Sequence, residues 1–111
     1  MKREGVLLKE RRRILQALAG IEEMRRGSVV EQYFSRPRRG EEVKAVRGPY
    51  PLFTCKRGGR TAGFRIHSEA ERRRLLRQVG DFHRFRSLCQ RLVEIGEALC
   101  ELRASSEGEG G

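Results

Sequence analysis

The chain has 111 residues, room for one small domain and not for two. Apolar residues make up 37% and charged residues 36%, and Trp is absent, so the composition allows an amphipathic helical seam and excludes a deep core. The formal net charge is +10 and 21 of the 25 basic residues are arginine, which directs attention to a phosphate-bearing partner.

A monomer of this composition is marginal in stability, so self-association, most simply as a homodimer, is expected. No apolar run approaches the roughly 18 residues that span a bilayer. The short patch Val6-Leu7-Leu8 is cut off by Lys9 to Arg13. Neither a secretory leader nor a membrane partner is expected, and the setting reads as cytoplasmic. Cys55, Cys89 and Cys100 are odd in number and widely spaced, which reads as reduced thiols and not as a disulfide frame.

The first predicted element is a helix over residues 2–26. Leu7, Arg11, Ile14, Leu18 and Ile21 recur at helical spacing, Leu15 and Ala17 flank the stripe, and Met24 extends it. Such a helix would be about 37 Å long. Gly20 is an interior weakness and Gly27 a stop signal. Residues 28–34, with Val29, Val30, Tyr33 and Phe34, fit either a strand or a continuation of the helix. Residues 35–49 read as a loop, marked by Pro37, Gly40, Gly48 and Pro49.

The period then changes to two. Residues 50–57 and 60–66 flank Gly58-Gly59, a two-residue hairpin signal. If Arg57 opposes Arg60, then Cys55 faces Ala62, Phe53 faces Phe64 and Pro51 faces Ile66. Below the Arg57–Arg60 tip, one side is then apolar at every pair, and the other carries Leu52, Thr54, Lys56, Thr61 and Arg65. A one-residue slip destroys this segregation, so the pattern itself fixes the register.

The last element is a long helix over residues 68–103. Ser68 followed by Glu71 is a capping box. Phe85, Leu88, Leu92, Ile95, Leu99 and Leu102 repeat at coiled-coil spacing, with Leu75, Leu76, Val79 and Phe82 extending the stripe backward in looser phase. This stripe is the candidate oligomerisation surface. Residues 104–111 are almost entirely Ser, Glu and Gly and read as a disordered tail. Residues 1–13 hold six basic and two acidic groups, whereas residues 94–111 hold one basic and five acidic ones. An antiparallel helix pair would bring those ends together and leave Arg72, Arg73, Arg74, Arg77, Arg84, Arg86 and Arg91 toward the inserted sheet.

Residues 27–67 carry nine Lys/Arg against three Glu. Within them, Arg36-Pro37-Arg38-Arg39-Gly40, with Lys44 and Arg47, reads either as an arm that places guanidinium groups on phosphates or in a minor groove, or as a solvated loop in an arginine-biased chain. At the hairpin tip Arg57 and Arg60 face each other with Lys56 behind them. Like charges directly opposite are unfavourable. A bound phosphate would relieve the repulsion, and the Gly backbone would let it approach closely. The alternative is that both side chains splay into water. The run Arg72-Arg73-Arg74 covers most of a helix circumference, so it reads first as a solvated face.

Little else points to chemistry. His67 and His83 lack metal-pair spacing, no Cys pair has zinc spacing, and Asp81 is the single Asp. Phosphate-binding-loop and nucleophile-elbow motifs are absent. Neither catalysis nor a cofactor or metal is expected.

Residues 23–33, Glu-Met-Arg-Arg-Gly-Ser-Val-Val-Glu-Gln-Tyr, resemble the signature of a family of short, basic prokaryotic proteins of unknown function. Gly48-Pro49-Tyr50, Gly58-Gly59-Arg60-Thr61 and Phe82-His83-Arg84-Phe85-Arg86 fall where that family has similar residues. The resemblance spans about residues 5–102. It implies a helix, β-hairpin, helix layout and no established activity. The family usually carries a Cys-rich cluster after the Tyr, whereas Ser35 to Gly40 here contains no Cys, so zinc is not carried over.

The expected fold is α+β and mostly helical, an antiparallel long-helix pair with a two- or three-stranded antiparallel sheet inserted between the helices. The expected role is that of a non-enzymatic nucleic-acid-binding accessory protein of low sequence specificity. Its contacts would be Arg36, Arg38, Arg39, Arg47, Lys56, Arg57 and Arg60. The alternative is a protein–protein adaptor or oligomerising helical hairpin that uses the stripe from Phe85 to Leu102.

Overall fold

In the computed structural model, the described residues are 2–36 and 45–110. Two helices enclose three strands in chain order: α1 (Lys2–Ala19), β1 (Ser28–Arg36), β2 (Ala45–Arg57), β3 (Arg60–Arg65) and α2 (Glu69–Gly110). The fold is α+β and mostly helical, with one antiparallel sheet in the order β1-β2-β3. Two compact units are present, Met1–Glu23 with Asp81–Gly111, and Met24–Gly80.

The first unit is an antiparallel helix pair. Its core is Ile14 of α1 with Ile95 and Leu99 of α2, and Leu7, Leu8, Leu18, Leu88 and Leu92 pack around them. Ile95 is fully buried. Arg91 donates to both carboxylate oxygens of Glu10, Nε to Oε2 at 2.6 Å and an Nη to Oε1 at 2.8 Å. Arg103 Nε donates to Glu4 Oε1 at 2.9 Å. Numbers rising along α1 thus meet numbers falling along α2. The hydrogen bond from Arg91 holds the Glu10 carboxyl below its usual range, and the same contact raises the Arg91 guanidinium further.

The charge logic differs from the expectation drawn from whole segments. Among the described residues, the cross-helix ion pairs join the two acids of the basic α1 to basic residues of α2. Lys9, Arg11, Arg12 and Arg13 make no ion pair among the described residues and are exposed. Arg91, expected toward the sheet, is engaged by Glu10 and Glu94.

The first helix is shorter than the predicted span of residues 2–26. Gly20 N–H is shared between the carbonyls of Gln16 and Ala17 at 3.2 Å, and Ile21 N–H donates to Leu18 O at 3.1 Å. This tightened turn ends α1 at Ala19. Residues 21–26 are irregular although the apolar spacing continues through Ile21 and Met24. At the other end, the segment expected to be a disordered tail is helical through Gly110.

The second unit is the sheet with the first turns of α2. Gly58 (φ 57°) and Gly59 (φ 79°) both occupy the left-handed region, the requirement of a tight two-residue hairpin turn. The register follows: Arg57 opposes Arg60, Cys55 opposes Ala62, and Phe53 opposes Phe64. Ile66 N–H donates to Pro51 O at 3.0 Å, extending the same register. Residues 28–34 belong to β1, which pairs Ser28 with Thr54 and Val30 with Leu52.

Much of the predicted loop is also strand. Ser35 pairs with Val46 and Arg36 with Ala45, while residues 37–44 lie outside the described residues. Between the pairs Gln32–Tyr50 and Phe34–Arg47 the register shifts, so Gly48 and Pro49 together oppose Tyr33. A bulge accommodates a residue without an N–H, which explains how a Gly-Pro pair sits inside a strand.

Ser68 Oγ accepts the Glu71 N–H at 3.1 Å, and Arg72 N–H donates to Ser68 O at 3.0 Å. The cap thus starts α2 where Ser68 and Glu71 predict. Leu75 and Val79, one turn apart, then cover Phe53 and Ile66, with Val29 and Cys55 beside them. Phe53 retains 2% of its exposure. Burial of such a side chain stabilises the unit by about 2–3 kcal/mol. The apolar side of the hairpin is only half covered, for Phe64 stacks on Phe53 at 5.2 Å between centroids yet remains 44% exposed. Every residue of β3 is exposed.

Candidate nucleic-acid interface

The segment that leaves α1 runs past the last residues of β2 and is pinned there by Arg25. Its backbone N–H donates to Gln78 O at 3.1 Å, and its Nε donates to Gln78 Oε1 at 3.1 Å. Outside a helix the Arg25 amide needs an acceptor, and the buried Gln78 supplies two. The guanidinium carbon also lies 5.6 Å from the Phe53 ring centroid, within cation–π range. Gly27 follows with φ +143°, which brings the chain against the Phe53 ring.

This path builds a cavity of about 240 Å³ lined by Met24, Arg25, Arg26, Cys55, Lys56 and Arg57. Four cations therefore share one opening, and Arg60 opposes Arg57 across the turn. Arg26, Lys56, Arg57 and Arg60 are exposed and make no ion pair among the described residues. Like charges gathered without a counter-ion repel, and a multivalent anion at the opening would relieve that repulsion. Arginine supplies planar bidentate donors matched to phosphate oxygens.

The seven predicted contact residues do not form one cluster. Lys56 and Arg57 line the cavity, and Arg60 adjoins them. Arg36 and Arg47 lie at the opposite end of the β1–β2 ladder, where Arg36 pairs with Ala45 and Arg47 with Phe34. Ten residues of strand separate Arg47 from Arg57, about 30 Å. Arg38 and Arg39 lie outside the described residues. Arg25 and Arg26 were not among the predicted contacts, because the apolar spacing assigned them to the first helix. The signal was available in Gly20, which ends that helix and leaves both arginines in an irregular segment beside the last residues of β2.

The predicted oligomerisation stripe is largely engaged within the chain. Ile95 and Leu99 are buried with Ile14, Leu88 and Leu92 pack around that core, and Phe85 and Leu102 are half-buried. Among the described residues no group of three or more His, Cys, Asp or Glu could hold a metal ion, and no helix is long and apolar enough to cross a membrane. No family model, curated protein or solved structure matches the chain.

Proposed function

We propose that this is a non-enzymatic nucleic-acid-binding accessory protein whose hairpin end binds backbone phosphates. The observation that carries the reading is the set of four cations, Arg25, Arg26, Lys56 and Arg57, around one cavity, with Arg60 beside it. Nothing in this arrangement reads base edges, so binding is of low sequence specificity. Arg36 and Arg47 belong to the far end of the same ladder and are not part of this cluster.

Fluorescence anisotropy of labelled oligonucleotides against salt tests the proposal. Affinity is expected to fall steeply with salt through counterion release, and Arg57→Ala with Arg60→Ala to reduce the log–log slope by about 1–2. The double variant should keep the wild-type circular dichroism. Binding that is flat with salt, or unchanged at low salt in the double variant, overturns the reading.

A second reading, self-association of the helix pair, draws on apolar residues that α1 and α2 leave outside their core. Val6 is 65% exposed and Val93 59% exposed. Sedimentation of the wild type against Val6→Lys with Val93→Lys would detect such a dimer, and a wild-type monomer at all concentrations would exclude it.

A further inference from the structure

We infer that the nucleic acid bound here is single-stranded, and that the sheet face turned away from α2 is the platform on which its bases stack. This rests on the nucleic-acid reading above and adds the form of the ligand. Strand alternation puts Phe53, Cys55 and Val29 on the α2 side, in the core with Ile66, Leu75 and Val79. The other face carries Val30, Tyr50, Leu52, Thr54, Lys56, Thr61, Gly63 and Arg65, as the register requires. Within this unit, no described element covers that face. Val30, Lys56, Thr61 and Arg65 are exposed, and Tyr50, Leu52 and Thr54 half-buried.

Three features of this face fit unpaired bases. The Arg65 guanidinium carbon lies 4.6 Å from the Tyr50 ring centroid, over its face. The exposed member of this cation–π pair, Arg65, offers a cationic surface to a base. Val30 and Leu52, directly paired across β1 and β2, continue the surface with apolar contact area. The described charges on the face, Lys56 and Arg65, are both positive, since Glu31 points to the opposite side, where it meets Arg72. Lys56 also lines the four-cation cavity, so the platform and the phosphate cluster meet at one residue. A duplex keeps its bases stacked on each other and can use only the phosphate contacts, whereas a single strand can use both.

The test compares labelled single strands of about 20 nucleotides, as DNA and as RNA, with the matching duplexes at one low salt concentration. Single strands are expected to bind at least about tenfold tighter than duplexes, and Tyr50→Ala or Arg65→Ala to weaken single-strand binding about five- to a hundredfold. Duplex binding should change less than about twofold. Tyr50→Phe should retain binding, which separates stacking from the hydroxyl. The chain has no Trp and two Tyr, so in a Tyr33→Phe background the intrinsic fluorescence reports Tyr50 alone and should be quenched by a single strand. Equal affinity for single strand and duplex, or a Tyr50→Ala variant that is folded and unaltered in single-strand binding, overturns this inference and leaves the phosphate reading standing. Absence of binding to every oligonucleotide at low salt overturns both.

Discussion

The Phe53 ring lies so close to Gly27 that a β-carbon there would come within 2.4 Å of Cζ and 2.7 Å of the Thr54 carbonyl oxygen. Gly27 also has φ +143°, which other residues rarely adopt. Both obstacles act together at Gly27→Ala, which is expected to destabilise the sheet unit by about 3 kcal/mol or more. The turn provides the control. Gly58 has φ +57° but nothing within 4 Å of a β-carbon, so Gly58→Asn should cost under about 1 kcal/mol. Urea denaturation of the two variants checks the contrast, and equal destabilisation would refute it.

The Glu10–Arg91 contact makes the helix pair sensitive to acid. The Glu10 carboxyl is held below its ordinary range by the hydrogen bond from Arg91, so the folded state favours the ionised form. Its contribution is present above the unfolded carboxylate pKa of about 4.3 and is lost as pH falls through the lower folded value. Arg91 remains charged throughout. Glu10→Gln should therefore lower Tm at neutral pH, with the difference from wild type shrinking as pH falls below about 4.3. A difference independent of pH would place the effect elsewhere. Both side chains are partly exposed, so added salt should shrink the same difference.

Gln78 positions Arg25 without carrying charge. Gln78→Leu removes the acceptor of Arg25 Nε and leaves the backbone hydrogen bond from Arg25 in place. Oligonucleotide affinity is expected to fall by a few-fold with an unchanged salt slope, because the number of cations is unchanged. Stability should fall by about 1 kcal/mol. A reduced slope would mean that Gln78 does more than orient Arg25.

The hairpin was legible in the sequence because two independent signals agreed, the Gly58-Gly59 pair and the apolar alternation from Pro51 to Ile66. Ser68 with Glu71 likewise located the start of α2. The end of α1 was not legible from periodicity, since Ile21 and Met24 keep the apolar spacing after Gly20 has ended the helix. The strand residues at 35–36 and 45–49 were hidden by Gly48 and Pro49, which mark a bulge at their own positions. The site was half legible for the same reason. Lys56, Arg57 and Arg60 belong to the readable hairpin, whereas Arg25 and Arg26 reach it through the irregular segment. Segment charge predicted the direction of the helix pair and missed the individual partners, because Glu4 and Glu10 are minority charges within a basic run.

Pro51 affects how this sheet meets other chains. In an antiparallel strand a residue's N–H and C=O point the same way. Pro51 O accepts from Ile66, so its nitrogen also points to the β3 side, where β3 ends at Arg65. Beyond that point β2 continues toward Ala45 with β1 on one side and no described strand on the other. An open stretch of strand is a template for intermolecular pairing. A proline at its start withholds a donor and interrupts the ladder that a second chain would need. The central strand can thus outrun its neighbour without inviting edge-to-edge aggregation.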